Sequence, residues 1–319
     1  MGLTAVLAAA GAMAIAHPAP QEDIEAAGPD GPLRGTLEAY ASSRPVALIL
    51  PGSGPIDRDG DSPAGLRAGL YRLLAEGLAK AGVVTVRIDK RGMFGSEGAV
   101  PDANAATVDD YVTDTFAWIE AVRARTGAPC VWLIGHSEGG LVALAAAARD
   151  PAAICGLVLA ATPGRPLGEA LKAQFAGIPD AAGFRGAAND AIDRLAAGER
   201  VDASTLPIQL SAIFHPSVQG FLISLCAVDP AKLIAEVKKP VLILQGDRDL
   251  QVSPADAEAL ARADPTATLR LIPGANHLFK AIASDDRGEN LAAYGDPGLP
   301  LAPGVIDVIQ GFMTAPGGH

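Results

Sequence analysis

Short, largely apolar runs alternate along the chain with longer stretches of mixed polarity. The apolar runs fall at 46–50, 83–88, 130–134, 154–160, 241–245 and 268–272. Each is of strand length and is continuous rather than alternating, the pattern of strands covered on both faces. Between them, 66–81, 108–126, 140–148 and 305–313 carry helical periodicity. Gly82 stops the first of these, and Asp109 and Asp110 sit in the first turn of the second, where the helix dipole favours acids. Strands alternating with helices predict an α/β fold with a mostly parallel sheet between helical layers. The stretch 165–237 breaks this alternation, being rich in Ala and Gly and lacking a buried strand. It predicts a helical cap or lid inserted on the side where the strands' carboxyl ends open, the alternative being a long crossover. The expected organisation is a core over 18–164 and 238–319 with the cap over 165–237. No internal repeat is visible.

The chemistry sits where the run 130–134 meets the helix that follows it. Gly135-His136-Ser137-Glu138-Gly139 forms a strand, G-x-S-x-G, helix junction, the context of a nucleophile elbow. Its turn is tight enough to strain the serine backbone, and glycine alone leaves room for the crossing chain. A serine hydroxyl needs a base, and the chain holds five histidines. His17 and His319 are near the termini. His136 adjoins the serine and should point elsewhere, and His215 falls in the cap as a packed or pocket-lining residue. His277, after the run 268–272 and a Pro273-Gly274-Ala275-Asn276 turn, is the expected base. The run 241–245 leads into Gly246-Asp247-Arg248-Asp249, which offers two acids to orient it. Asp249 lies deeper in the loop and is preferred, with Asp247 serving the loop's own hydrogen bonds. The order Ser137, Asp249, His277 is the nucleophile–acid–base order of α/β-hydrolases. Oxyanion donors are expected from the backbone N–H of Glu138 and of Ser53, in the Gly52-Ser53-Gly54 loop after 46–50.

Neighbouring residues read as structural. The Glu138 side chain is expected at the surface or against the cap. Arg58, within Asp57-Arg58-Asp59-Gly60, is expected to tie Asp57, Asp59 or Asp89 together, and Ser96 to shape a turn. The Gly52-Ser53-Gly54 loop lacks the Lys-Ser/Thr of a P-loop and the third Gly of a dinucleotide motif, and no metal-ligand spacing occurs, so neither cofactor nor metal is expected. Cys130, Cys155 and Cys226 make no framework, and the first two read as small core residues.

These residues resemble bacterial serine hydrolases of the α/β-hydrolase superfamily that carry a Gly-Ser-Gly-Pro-x-Asp-Arg-Asp-Gly loop, here Gly52 to Gly60. Asp89-Lys90-Arg91-Gly92, the G-x-S-x-G elbow, 240–252 and Asn276-His277-Leu278-Phe279 extend the similarity over about 32–313. The resemblance is to the branch of esterases and of dienelactone-hydrolase-like and serine-aminopeptidase-like enzymes. It implies a metal-free hydrolase with Ser137, His277 and Asp249 as its triad and a lid between strands. Met93-Phe94 departs from the pattern, since relatives carry a small residue or Gly in that turn.

Composition narrows the partners. The chain has 319 residues, 49% of them hydrophobic, enough for one large core with an insertion, and a formal net charge of −11. That charge argues against nucleic acid and anionic membrane surfaces. The apolar stretch 3–16 is too short to span a bilayer. With Ala14-Ile15-Ala16 as a small-x-small site it predicts an export signal over 1–17, although no Lys or Arg precedes it. The alternative is a cytoplasmic protein with an Ala-rich leading segment. The expected activity is hydrolysis of a small-molecule carboxylic ester through an acyl-enzyme. The alternatives are an amidase or aminopeptidase, an acyltransferase, and a non-catalytic ligand-binding protein of the same fold. The sequence sets no oligomeric state.

Overall fold

The computed structural model describes residues 19–39, 45–178 and 183–315. The predicted export signal and His17 and His319 lie outside them. Six strands form where the apolar runs predict them: β3 (Val46–Leu50), β4 (Val84–Ile88), β5 (Val131–His136), β6 (Ile154–Ala160), β7 (Val241–Gly246) and β8 (Thr268–Ile272). They are mutually parallel, in the order β4-β3-β5-β6-β7-β8. Two strands precede them in the chain, β1 (Gln21–Ala26) and β2 (Leu33–Glu38), and extend the sheet antiparallel beyond β4. Their sequences, QEDIEA and LRGTLE, are polar because β1 is a half-exposed edge and because β2 pairs buried charges. Glu38 of β2 meets Arg87 of β4 at 3.0 Å.

The period-two alternation of side chains sorts each strand between two apolar layers. Val46, Leu48, Leu50, Val131 and Leu133 face one layer, with α2 (Val108–Thr126) and α3 (Glu138–Arg149). Ala47, Ile49, Trp132 and Ile134 face the other, with α1 (Leu70–Lys80) and α11 (Val305–Thr314). Both faces are covered, which explains the unbroken hydrophobicity of these strands. Helix α2 starts at a capping box in which Thr107 and Asp110 bond reciprocally, and it ends at Gly127 in the left-handed region.

Between β6 and β7 the chain forms α4 (Leu167–Ala176), α5 (Arg185–Ala196), α6 (Ile208–Ser211), α7 (Gln219–Cys226) and α8 (Pro230–Glu236), with no strand among the described residues. Phe175, Ile192, Leu195, Leu210 and Phe214 give this segment an apolar cluster separate from the two sheet layers. His215 is exposed and bonds Ser217 rather than packing in the interior, which corrects the expectation that it is packed. Its neighbour Phe214 takes the buried position instead. The remaining helices, α9 (Pro254–Ala263) and α10 (Arg287–Ala292), flank the loops after β7 and β8. Among the described residues no helix is long and apolar enough to cross a membrane.

The cysteine expectation is overturned. Cys130 and Cys155 are joined by a disulfide, their Cα atoms 5.2 Å apart. The β5/β6 register, which sets Val131 opposite Ile154, brings the two together at the start of adjacent strands.

Candidate active site

The chain runs from β3 outward to β4 and then back past β3 to β5. The strand order therefore reverses at β3/β5, where a crevice opens beyond the carboxyl ends of the strands. Ser137 sits at this point, between β5 and α3, with φ 53° and ψ −119°. A non-glycine residue there is strained and is held only because its surroundings leave no alternative. Those surroundings exclude side chains: a Cβ on Gly135 would come within 2.4 Å of the Gly139 carbonyl oxygen, and one on Gly139 within 2.2 Å of that of Leu50. The close approach fixes Ser137 above the N-terminus of α3.

Beyond β7, Asp249 is buried and fully engaged. Its Oδ1 accepts the N–H groups of Gln251 at 2.7 Å and Val252 at 2.9 Å, and its Oδ2 accepts Gln245 Nε2 at 3.0 Å. His277 Nδ1 lies 2.8 Å from the same Oδ2. Since the carboxylate can only accept, Nδ1 carries the proton and Nε2 is left as the acceptor. Burial would raise the Asp249 carboxyl, but the His277 ring and the hydrogen bonds outweigh it, and the net displacement is downward. Asp247 instead accepts the N–H of Gly274 at 2.7 Å, tying the β7 loop to the turn that carries His277. Asn276 Oδ1 accepts the N–H groups of Leu278 and Lys280, both at 3.0 Å, and shapes the rest of that turn.

Ser137, His277, Ser53 and Glu138 line one cavity of about 370 Å³. Its far wall comes from the helices between β6 and β7, with Leu167, Ala170 and Leu171 of α4 and Leu225 of α7. Tyr294, Gln174 and Gln251 supply polar groups at its rim.

Sequence reasoning missed the groups beneath this cavity. His136 is buried, and its ring centroid is 4.8 Å from that of His277. Its Nε2 lies 3.0 Å from the His277 carbonyl oxygen and its Nδ1 3.1 Å from Tyr71 Oη. Burial above all, and then the adjacent His277, lower its pKa from 6.5 to about 3, so the ring is neutral. A carbonyl can only accept, which assigns the proton to Nε2 and leaves Nδ1 to accept from the Tyr71 hydroxyl. Tyr71 Oη in turn accepts the Gly52 N–H at 2.7 Å. One directed chain thus links the loop after β3 to the backbone of His277.

The Glu138 side chain is not at the surface as expected but buried, 3.6 Å from the buried Lys90 Nζ. The elbow turns it under the sheet's end, because α3 begins against the core. Lys90 also donates to the Gly52 carbonyl at 2.7 Å. Arg58 does act as a tie: its backbone N–H, Nε and Nη2 bond Asp89 at 2.8, 2.9 and 2.6 Å. Ser96 accepts the Arg34 N–H and donates to the Asp89 carbonyl. Phe94, where relatives carry a small residue or Gly, has φ 47° in the left-handed region that favours glycine. A strand ending in charged residues beside a glycine loop was the available signal for Lys90. Nothing local marks Tyr71.

A twisted, mostly parallel sheet with helices on both faces, a serine at a strained strand–helix turn and a His–Asp pair on later strand ends define the α/β-hydrolase class. Within that superfamily the chain belongs to the family described as serine aminopeptidase, S33, whose model matches residues 64–280. It is 26% identical over 239 residues to Esterase EstD of Thermotoga maritima, covering 75% of this chain and 54% of that protein. The chain thus spans about half the length of the curated relative it matches. Its fold is similar to that of Est1E from Butyrivibrio proteoclasticus, with a TM-score of 0.55 at 19% identity, covering 91% of this chain and 97% of that one. It is similar also to the Pyrococcus furiosus esterase Pf2001, with a TM-score of 0.54, 16% identity and 92% of each chain covered. A third similar fold is the proline iminopeptidase of Mycobacterium smegmatis, with a TM-score of 0.53, 18% identity and coverage of 85% and 96%.

Proposed function

We propose that the protein is a serine esterase that cleaves small carboxylic esters through an acyl-enzyme. The observation that carries this reading is the shared cavity of Ser137 and His277, with His277 held in one tautomer by a buried Asp249 at 2.8 Å. His277 Nε2 takes the Ser137 proton as Oγ attacks the ester carbonyl. Asp249 stabilises the imidazolium, and the proton passes to the departing alkoxide. Water activated by the same Nε2 then releases the acid. The N–H groups of Ser53 and Glu138 receive the oxyanion in both steps. The mainly aliphatic walls suit an apolar acyl or alcohol group, and we read the insertion at 165–237 as the cap that supplies them.

An ester is favoured over an aminopeptidase substrate by the lining itself. An α-amine calls for a free carboxylate, and among the described lining residues the carboxylate is that of Glu138, which Lys90 engages. The relatives called esterases point the same way. The Cys130–Cys155 disulfide and the predicted signal over 1–17 together support export to an oxidising compartment. Hydrolysis of p-nitrophenyl esters from acetyl to dodecanoyl, with Ser137→Ala alongside, tests the reading. Turnover that disappears in the variant is expected, with a chain-length optimum set by the α4 wall. Hydrolysis of peptide substrates in place of every ester would overturn it.

A further inference from the structure

We infer that Lys90 and Glu138 form a buried positioning device that orients and polarises both oxyanion donors; this rests on the serine-hydrolase reading above. The geometry turns on one peptide unit. The carbonyl of Gly52 and the N–H of Ser53 belong to the same planar group and point in opposite directions across it. Lys90 Nζ donates to that carbonyl at 2.7 Å. The ammonium therefore pulls electron density away from the Ser53 nitrogen and fixes its N–H on the opposite side, toward the cavity that Ser53 lines. The preceding N–H, that of Gly52, is held by Tyr71 Oη at 2.7 Å, so the loop cannot rotate to exchange one N–H for the other.

The second donor is tied to the same charge. Glu138 supplies its backbone N–H at the elbow, and its carboxylate sits 3.6 Å from Lys90 Nζ. That distance is an ion pair longer than a hydrogen bond. Both groups are buried, Lys90 at 6% and Glu138 at 2% relative exposure. Neither carboxylate oxygen has a hydrogen-bond partner among the described residues. A pair so costly to desolvate is a weak source of stability, and replacing it by neutral groups of similar volume is often tolerated. Its placement makes sense for electrostatics that must already point at the oxyanion before the charge develops. Burial lowers the Lys90 pKa, and the adjacent Glu138 carboxylate opposes that fall. Tyr111 adds to this, its ring centroid lying 5.5 Å from Nζ.

The test compares Lys90→Met and the neutral pair Lys90→Met/Glu138→Gln with the wild-type full chain. The double variant removes both charges, and so guards against misfolding from a lone buried carboxylate. Concentrations are normalised by active-site titration with a fluorophosphonate. Deleting an oxyanion donor outright costs about 10²–10³ in kcat, so a donor that survives but is misaligned and less acidic should cost about 10- to 100-fold. We expect kcat to fall by that factor with KM within about threefold of wild type. The affinity of an alkylboronic acid, whose tetrahedral serine adduct mimics the oxyanion, should weaken by the same factor as kcat/KM. A purely structural role would lower the titrated fraction and leave these ratios alone. The inference fails if either folded variant keeps kcat within threefold, or if boronate affinity is unchanged. Should the wild type react with the fluorophosphonate but hydrolyse no ester, the ester reading alone falls, and the variants' phosphonylation rates decide the role of Lys90. A wild type inert to both would overturn the two together.

Discussion

His136 makes a quantitative prediction because it is buried, neutral and far from its ordinary pKa. Its folded value is about 3 against 6.5 for an exposed imidazole. Below the unfolded value the unfolded chain binds a proton at this site and the folded chain does not. Stability is therefore fully present above about pH 6.5 and is lost as pH falls toward about pH 3. Integrating the two titrations from about pH 7.5 to about pH 5 gives roughly 2 kcal/mol, good to an order of magnitude. In His136→Asn the group is gone and so is this loss. The substitution itself removes bonds to Tyr71 Oη or the His277 carbonyl, so its absolute cost is not the informative quantity. The pH dependence of the difference is, because the carboxylates titrate alike in both proteins. Urea unfolding at the two pH values should show the gap between wild type and variant narrowing by about 2 kcal/mol on acidification. A gap that stays constant within about 0.5 kcal/mol would show that His136 is protonated or solvated in the folded protein. The directed chain from Gly52 through Tyr71 to His277 would fall with it.

Two further predictions follow from the loops and the disulfide. Asp249→Asn should cut kcat by about 10³–10⁴ in the ester assay, because an amide at that position promotes the wrong His277 tautomer. Asp247→Asn, at a side chain that accepts the Gly274 N–H, should stay within about tenfold, and equal losses would overturn the assignment. Replacing Cys130 and Cys155 by Ser opens a loop of 25-residue separation, for which chain entropy gives a loss of about 3.5 kcal/mol in denaturant unfolding. An unchanged midpoint in the oxidised wild type and the double variant would mean that the bond does not form.

Much of the architecture was legible because it is written in local pattern. Six largely apolar runs marked the parallel strands, since an inner strand covered on both faces has little polar side to show; only the edge strand β8, TLRLI, keeps exposed positions. The elbow was legible for a similar reason: glycines at fixed offsets from Ser137 are demanded by backbone contacts within a few residues of it. The positions of Asp249 and His277 followed from strand ends, which the apolar runs delimit. By contrast β1 and β2 escaped notice, because their core residues Ile24, Ala26, Leu33 and Leu37 are interspersed with exposed edge positions and with Glu38, which pairs with Arg87, so no continuous apolar run marks them.

By itself, then, the chain determined the layered α/β core, the strained serine turn and the order of Asp249 and His277 on the strand ends behind it. These depend on periodicity and on backbone sterics over short spans. Only the tertiary structure decided that Cys130 faces Cys155, because that pairing is set by the register of two strands 25 residues apart. It alone decided that Glu138 turns inward to Lys90 and that Tyr71 and His136 bridge the loop after β3 to the turn of His277. Hydrogen bonds and buried charges of this kind join residues whose separation in sequence carries no trace of their distance in space.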